Sequence, residues 1–162
     1  MMVDLAEIRP DTEKALFLAK KQLAELVCDA VNLEGVAYTL YEVEALLDGV
    51  AVAGHTLEDE QITLNQAKAW RLLFDLVESD RFALTKKVVL RIHALAGCNE
   101  SLEWGCFRSG GVTIAGTDYL PPDANELDAC WETMAAEASE IENIFDKAIF
   151  VFFANGAQSV LL

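Results

Sequence analysis

The side chains that most often carry chemistry are histidine, cysteine and close pairs of charged groups, and this 162-residue chain holds two histidines and four cysteines. His55 and His93 stand far apart, and Cys28, Cys98, Cys106 and Cys130 include no C-x-x-C pair. A tetrahedral zinc site needs four ligands, usually supplied as two close pairs. No metal site is therefore predicted. His93 lies among Val89, Ile92 and Ala96 and reads as a helix residue satisfied by hydrogen bonds. Glu34 precedes Gly35 at the expected end of a helix, where a solvated acid is the simplest reading. Arg108 follows Trp104-Gly105 and precedes Gly110-Gly111. Trp70, Trp104 and Trp131 read as core residues rather than cofactor stackers. The run Glu58-Asp59-Glu60 reads as an acidic cluster at a helix N-terminus.

Composition narrows the function class. Hydrophobic residues make up 53% of the chain, enough to build a core and to exclude disorder. The formal charge is −15, with −8 in residues 1–107 and −7 in residues 108–162. Binding to nucleic acid or to an anionic membrane surface is disfavoured by that charge. A small nucleotide in a local pocket is compatible with it, because helix N-termini hold phosphates without net positive charge. The start of the chain carries Asp4 and Glu7 and no long apolar run, unlike a signal peptide. With four cysteines read as free thiols, a cytoplasmic protein is expected. The longest apolar stretch, Ala148 to Ala154, is too short to span a bilayer.

Helical spacing dominates the elements that must position these residues. Leu16, Ala19, Leu23, Leu26 and Ala30 share one face, predicting a helix from about Pro10 to Leu33 that Gly35 stops. Thr39 and Glu42 form a capping box, and the helix they open ends at Asp48-Gly49. Thr56 starts the next, which runs to about Ser79. Another is predicted from Phe82 to Ala96. Residues 97–123 then collect seven glycines and prolines around Val112-Thr113-Ile114-Ala115-Gly116-Thr117-Asp118-Tyr119, which predicts a short β-hairpin over a Gly-Thr-Asp turn. Leu127, Trp131, Met134 and Ala138 mark a helix, and Ile141, Phe145, Ala148 and Phe152 the last one. The fold class is mainly α, with one hairpin whose open edge could dock an extended peptide.

Four stretches in this order resemble one family. They are Asn32-Leu33-Glu34-Gly35-Val36-Ala37-Tyr38-Thr39-Leu40-Tyr41-Glu42-Val43-Glu44; then Leu46-Leu47-Asp48-Gly49 with Asn65-Gln66-Ala67-Lys68-Ala69-Trp70; then Ile92-His93-Ala94-Leu95 leading to Trp104-Gly105-Cys106-Phe107-Arg108; and last Gly111-Val112-Thr113-Ile114-Ala115-Gly116-Thr117 before Pro121-Pro122. From about Glu25 onward the chain resembles the Fic (Fido) family, whose typical activity is transfer of AMP from ATP to a protein hydroxyl. The resemblance implies a Fic-like helical bundle forming a single domain over residues 1–162. Residues 1–56 would be an N-terminal helical, inhibitory part, and residues 57–162 an incomplete core with its flap at about 110–120. It implies that Glu34 with Gly35 is an inhibitory segment, although the serine or threonine that anchors such segments is Ala30 here. It implies that Val112, Thr113, Ile114, Ala115, Gly116 and Thr117 form a flap that docks the target protein, and that Arg108 is structural, bonding carbonyls near the flap.

The family signature is H-[PF]-F-x-[DE]-G-N-[GK]-R, and the resemblance puts its start close to Val160. Val160-Leu161-Leu162 stands there instead, and Phe153-Ala154-Asn155-Gly156, a second place for a shrunken remnant, also lacks the histidine and arginine. No histidine follows His93 and no arginine follows Arg108. Complete members use ATP and magnesium. Here the base, the metal ligand and the phosphate-binding turn are missing, so the chain is expected to be truncated at or before the signature, inactive as it stands and without a bound cofactor. The competing expectation is a non-enzymatic interaction module. It would take a target protein on the flap edge and self-associate as a homo-oligomer through the apolar Ser159-Val160-Leu161-Leu162.

Overall fold

The computed structural model describes residues 10–114 and 116–158, with side chains up to residue 154. Seven α-helices are described: α1 (Thr12–Lys21), α2 (Leu23–Leu33), α3 (Leu40–Leu47), α4 (Leu57–Glu78), α5 (Lys86–Ala96), α6 (Leu127–Glu140) and α7 (Ile144–Gln158). A 3-10 turn at Ala124–Glu126 leads into α6. The long α4 is the organising element. It packs against α1, α2, α3 and α5, while α7 packs on α6.

Local chemistry explains where the helices begin. Thr39 accepts from the Glu42 amide, and the Glu42 carboxylate takes the Thr39 N–H at 2.8 Å. Thr56 and Asp59 repeat the arrangement at the start of α4, with N–H to Oδ2 at 2.9 Å. Each box satisfies two N–H groups that a helix start would otherwise leave unpaired. Asn143 caps α7 by accepting from the Phe145 and Asp146 amides. The core of the N-terminal half joins Val27, Cys28 and Val31 of α2, Tyr38, Val43 and Leu46 around α3, and Ile62 and Ala67 of α4. Burying each large apolar side chain contributes about 2 kcal/mol. Leu127, Trp131, Met134 and Ala138 are buried from α6.

Three expectations change. The helix predicted from Pro10 to Leu33 is two helices meeting at Gln22, where φ is −95° and ψ is 14°. α1 buries no residue, whereas α2 buries three, so only the second segment follows the core. The helix predicted from Phe82 starts at Lys86, because the Thr85 hydroxyl accepts from the Val88 amide and fixes the cap there. The predicted hairpin over residues 110–120 is not formed among the described residues, which contain no strand. A two-stranded ribbon is marginal without a third strand or a face to pack on. Val112-Thr113-Ile114 and Gly116-Thr117 have neither, and the flanking Gly110-Gly111 and Pro121-Pro122 disfavour ladder formation. Ala115 lies outside the described residues, as do Val160 and the rest of the apolar C-terminal stretch.

Candidate functional site

Glu34 is the residue on which the sequence-based reading turns. It caps α2 with φ −82° and ψ 3°, and the chain reverses at Gly35, whose φ is +85°. The Gly35 amide donates to Asn32 O at 3.2 Å and the Val36 amide to Val31 O at 2.9 Å. These two bonds are a Schellman ending, which requires the left-handed conformation that glycine adopts without strain. The geometry presents the Glu34 side chain to solvent. Among the described residues no basic side chain pairs with it.

Its neighbour is a second acid. Glu100 sits in the turn after α5, half-buried, with one carboxylate oxygen lacking a hydrogen-bond partner. Burial pushes the Glu100 carboxyl up, the nearby Glu34 charge pushes it further, and a bond from Gln66 of α4 opposes them. The turn is fastened to α4 by Asn65, whose side-chain amide donates to Cys98 O at 3.0 Å. Two carboxyls of unlike environment thus lie close enough for the Glu34 charge to act on Glu100. Sequence reasoning found Glu34 and missed Glu100, since nothing in the sequence places residue 100 beside residue 34.

The other candidates have structural surroundings. His93 accepts the Gly105 N–H on Nδ1 at 3.3 Å, and burial lowers its pKa. A neutral ring packed against Gly97 pins the turn after α5, and a Cβ at Gly97 would come within 2.7 Å of it. Arg108, only 5% exposed, donates to Gly110 O at 2.7 Å and to Pro122 O. One guanidinium therefore ties together both ends of residues 110–122, the segment expected to be the flap. Val112 is half-buried and Thr113, Ile114, Gly116 and Thr117 are exposed. Trp131 is buried, Trp70 packs on Phe74, and Trp104, expected in the core, is 45% exposed. All four cysteines are free. Among the described residues no group of three His, Cys, Asp or Glu side chains could hold a metal.

An open apolar groove of about 680 Å³ lies between α1, α4 and α7, lined by Leu16, Ala19, Leu73, Phe74, Phe145 and Ala148 among others. No described helix is long and apolar enough to cross a membrane.

This mainly helical architecture defines a class. It is similar to the crystal structure of a Fic family protein from Desulfovibrio desulfuricans G20, with a TM-score of 0.74, 20% sequence identity, and coverage of 91% of this chain and 46% of that one. The chain has a Fic-like fold and spans less than half the length of that solved protein. No protein-family model and no curated protein sequence matches it.

Proposed function

We propose that this chain is a Fic-family scaffold carrying a regulatory acid, Glu34, and that its 162 residues do not themselves transfer AMP. The observation that carries the reading is the position of Glu34 within a Fic-like fold: exposed, at the Schellman end of α2, with no cation to neutralise it among the described residues. An acid held there would restrain nucleotide binding by pairing with the arginine of a complete catalytic loop. AMP transfer needs a base for the attacking hydroxyl and positive charge for the departing pyrophosphate. Neither the motif histidine nor the motif arginine that would serve these tasks is among the 162 residues.

Purified chain incubated with labelled ATP and magnesium or manganese should incorporate no label. Detectable autoadenylylation of these 162 residues would overturn the inactive assignment. The regulatory role is tested by transplanting residues 23–39 in place of the corresponding segment of an active Fic protein. The transplant should restrain autoadenylylation, and the same transplant with Glu34→Ala should release it tenfold or more. Equal activity of the two would count against a regulatory Glu34.

A second reading is favoured by the outer face of α7. Phe152 and Phe153 are 74% and 67% exposed, and Ile149 lies on the same helix. An exposed cluster of this kind marks interaction surfaces. In this reading the chain is a binding module, and residues 112–117 take part in docking a target as a loop. Sedimentation of wild type against Phe152→Ser/Phe153→Ser tests it. Self-association lost in the double variant supports the module, and a monomer in both argues against self-association.

A further inference from the structure

The connection between α2 and α3 carries Glu34 at one end and is held at the other by contacts that the proposed function does not use. Asn32 clamps the Tyr38 backbone in both directions. Its Nδ2 donates to Tyr38 O at 3.0 Å, and the Tyr38 N–H donates to its Oδ1 at 3.1 Å. The Cys28 thiol, kept protonated by burial, reaches the same carbonyl at 3.5 Å. Tyr38 is 3% exposed and its ring lies flat on His55, with centroids 3.7 Å apart and planes 12° from parallel. His55 precedes α4, and its Nε2 is 3.4 Å from Glu42 Oε1. The other Glu42 oxygen is engaged in the α3 capping box. Asp59, in the α4 capping box, is held below the usual carboxylate range by Thr56 and also by the nearby His55. One imidazole therefore stands between the N-termini of α3 and α4 and covers the ring that ends the connection. Between the clamps, Glu34, Gly35 and Ala37 are exposed and only Val36 is partly covered.

We propose that His55 is a positioning residue: its stack on Tyr38, anchored by Glu42, latches residues 34–38 and so sets where Glu34 stands beside Glu100. Opening the latch frees this strap while the bundle stays folded, because α2 and α4 keep their own packing through Val27, Val31, Ile62 and Ala67. The stack, rather than the bond to Glu42, contributes most of the hold, since it covers the Tyr38 ring directly. The consequence for regulation rests on the reading of Glu34 given above. The latch itself does not.

Amide hydrogen exchange of the full chain tests it without any nucleotide. The Tyr38 amide is bonded to Val36 O and Asn32 Oδ1, and the Val36 amide ties the strap to Val31 O of α2, so both report on its opening. In His55→Ala they should exchange about tenfold faster, while α4 amides change by less than twofold. His55→Phe keeps a flat ring and should restore strap protection. His55→Gln keeps a donor for Glu42 but no ring, and should not. Should the alanine variant fail to fold, the phenylalanine and glutamine variants alone decide between stack and bond. Unchanged strap exchange in His55→Ala, equal loss of protection in strap and α4, or rescue by glutamine as full as by phenylalanine would each overturn the proposal. A strap that opens as expected beside a transplant insensitive to Glu34 overturns the regulatory reading alone. The reverse pair of results overturns the latch alone.

Discussion

At the scale of single residues, Glu34 and Glu100 show how one charge acquires two meanings. Glu34 is solvent-facing, so its charge is hydrated and its removal should matter little to the fold. Glu34→Gln is expected to change stability by less than about 1 kcal/mol, as at ordinary surface positions. Denaturant melts check this, and a loss well above about 2 kcal/mol would reveal a buried ionic partner. Glu100 behaves differently because burial, reinforced by Glu34, raises its pKa above that of the unfolded chain. A raised carboxyl binds its proton more tightly when folded, so its contribution to stability is fully present below the unfolded glutamate value of about 4.3 and is lost as pH rises through the folded value. Glu100→Gln keeps the hydrogen-bonding shape and removes the titration. Its stability relative to wild type should therefore climb between pH 4 and neutral pH, measured as urea midpoints at several pH values. Parallel profiles of the two proteins would show that the Glu100 carboxyl is not held away from water.

At the scale of elements, the parts legible in the sequence are those settled within a few residues. Thr39 to Glu42 and Thr56 to Asp59 are capping boxes in the structure because the bonds involved span three residues and need no tertiary partner. Thr56→Ala should accordingly cost about 1 kcal/mol, with Thr56→Ser close to neutral. A thermal or urea melt of both variants is the check, and an alanine variant as stable as the serine one would mean the box contributes nothing. The Glu34-Gly35 ending of α2 was legible for the same reason. What could not be read off the chain depends on distant packing. The break at Gln22 follows from α2 having a core to join and α1 none, and no breaker residue marks it. The β-type run Val112–Thr117 has the local preferences of a strand but no partner strand among the described residues, so Arg108 and its carbonyl bonds shape the segment instead. Glu100 and the role of His55 were not legible, because residue 34 comes near residue 100, and Tyr38 meets His55, only after helices have packed.

At the scale of the molecule, α1 to α5 form a bundle around α4, while α6 and α7 form a pair with contacts mainly to each other. The groove between α1, α4 and α7 is lined by both parts. Three side-chain contacts form a seam between them. Lys86 at the start of α5 pairs with Asp128 of α6, and its ammonium also lies over the Phe107 ring at 4.3 Å. Phe107 in turn meets Trp131 of α6, with ring centroids 6.1 Å apart. The Lys86 to Asp128 pair is exposed and adds little, at most about 1 kcal/mol. Trp131 is buried, so the seam rests on its ring, and truncating such a side chain costs about 3–5 kcal/mol through lost burial and the cavity left behind. Trp131→Ala should thus destabilise the protein by about 3 kcal/mol or more, against less than about 1 kcal/mol for Lys86→Ala. The loss should also be uneven. With its anchor gone, the α6 and α7 pair should lose hydrogen-exchange protection first, while α2 and α4 keep theirs because Val27, Val31, Ile62 and Ala67 are untouched. Exchange measured helix by helix on the two variants separates the possibilities. Equal loss of protection in α4 and α6 would mean that the halves fold as one cooperative unit despite the groove, and that the seam is not their main connection.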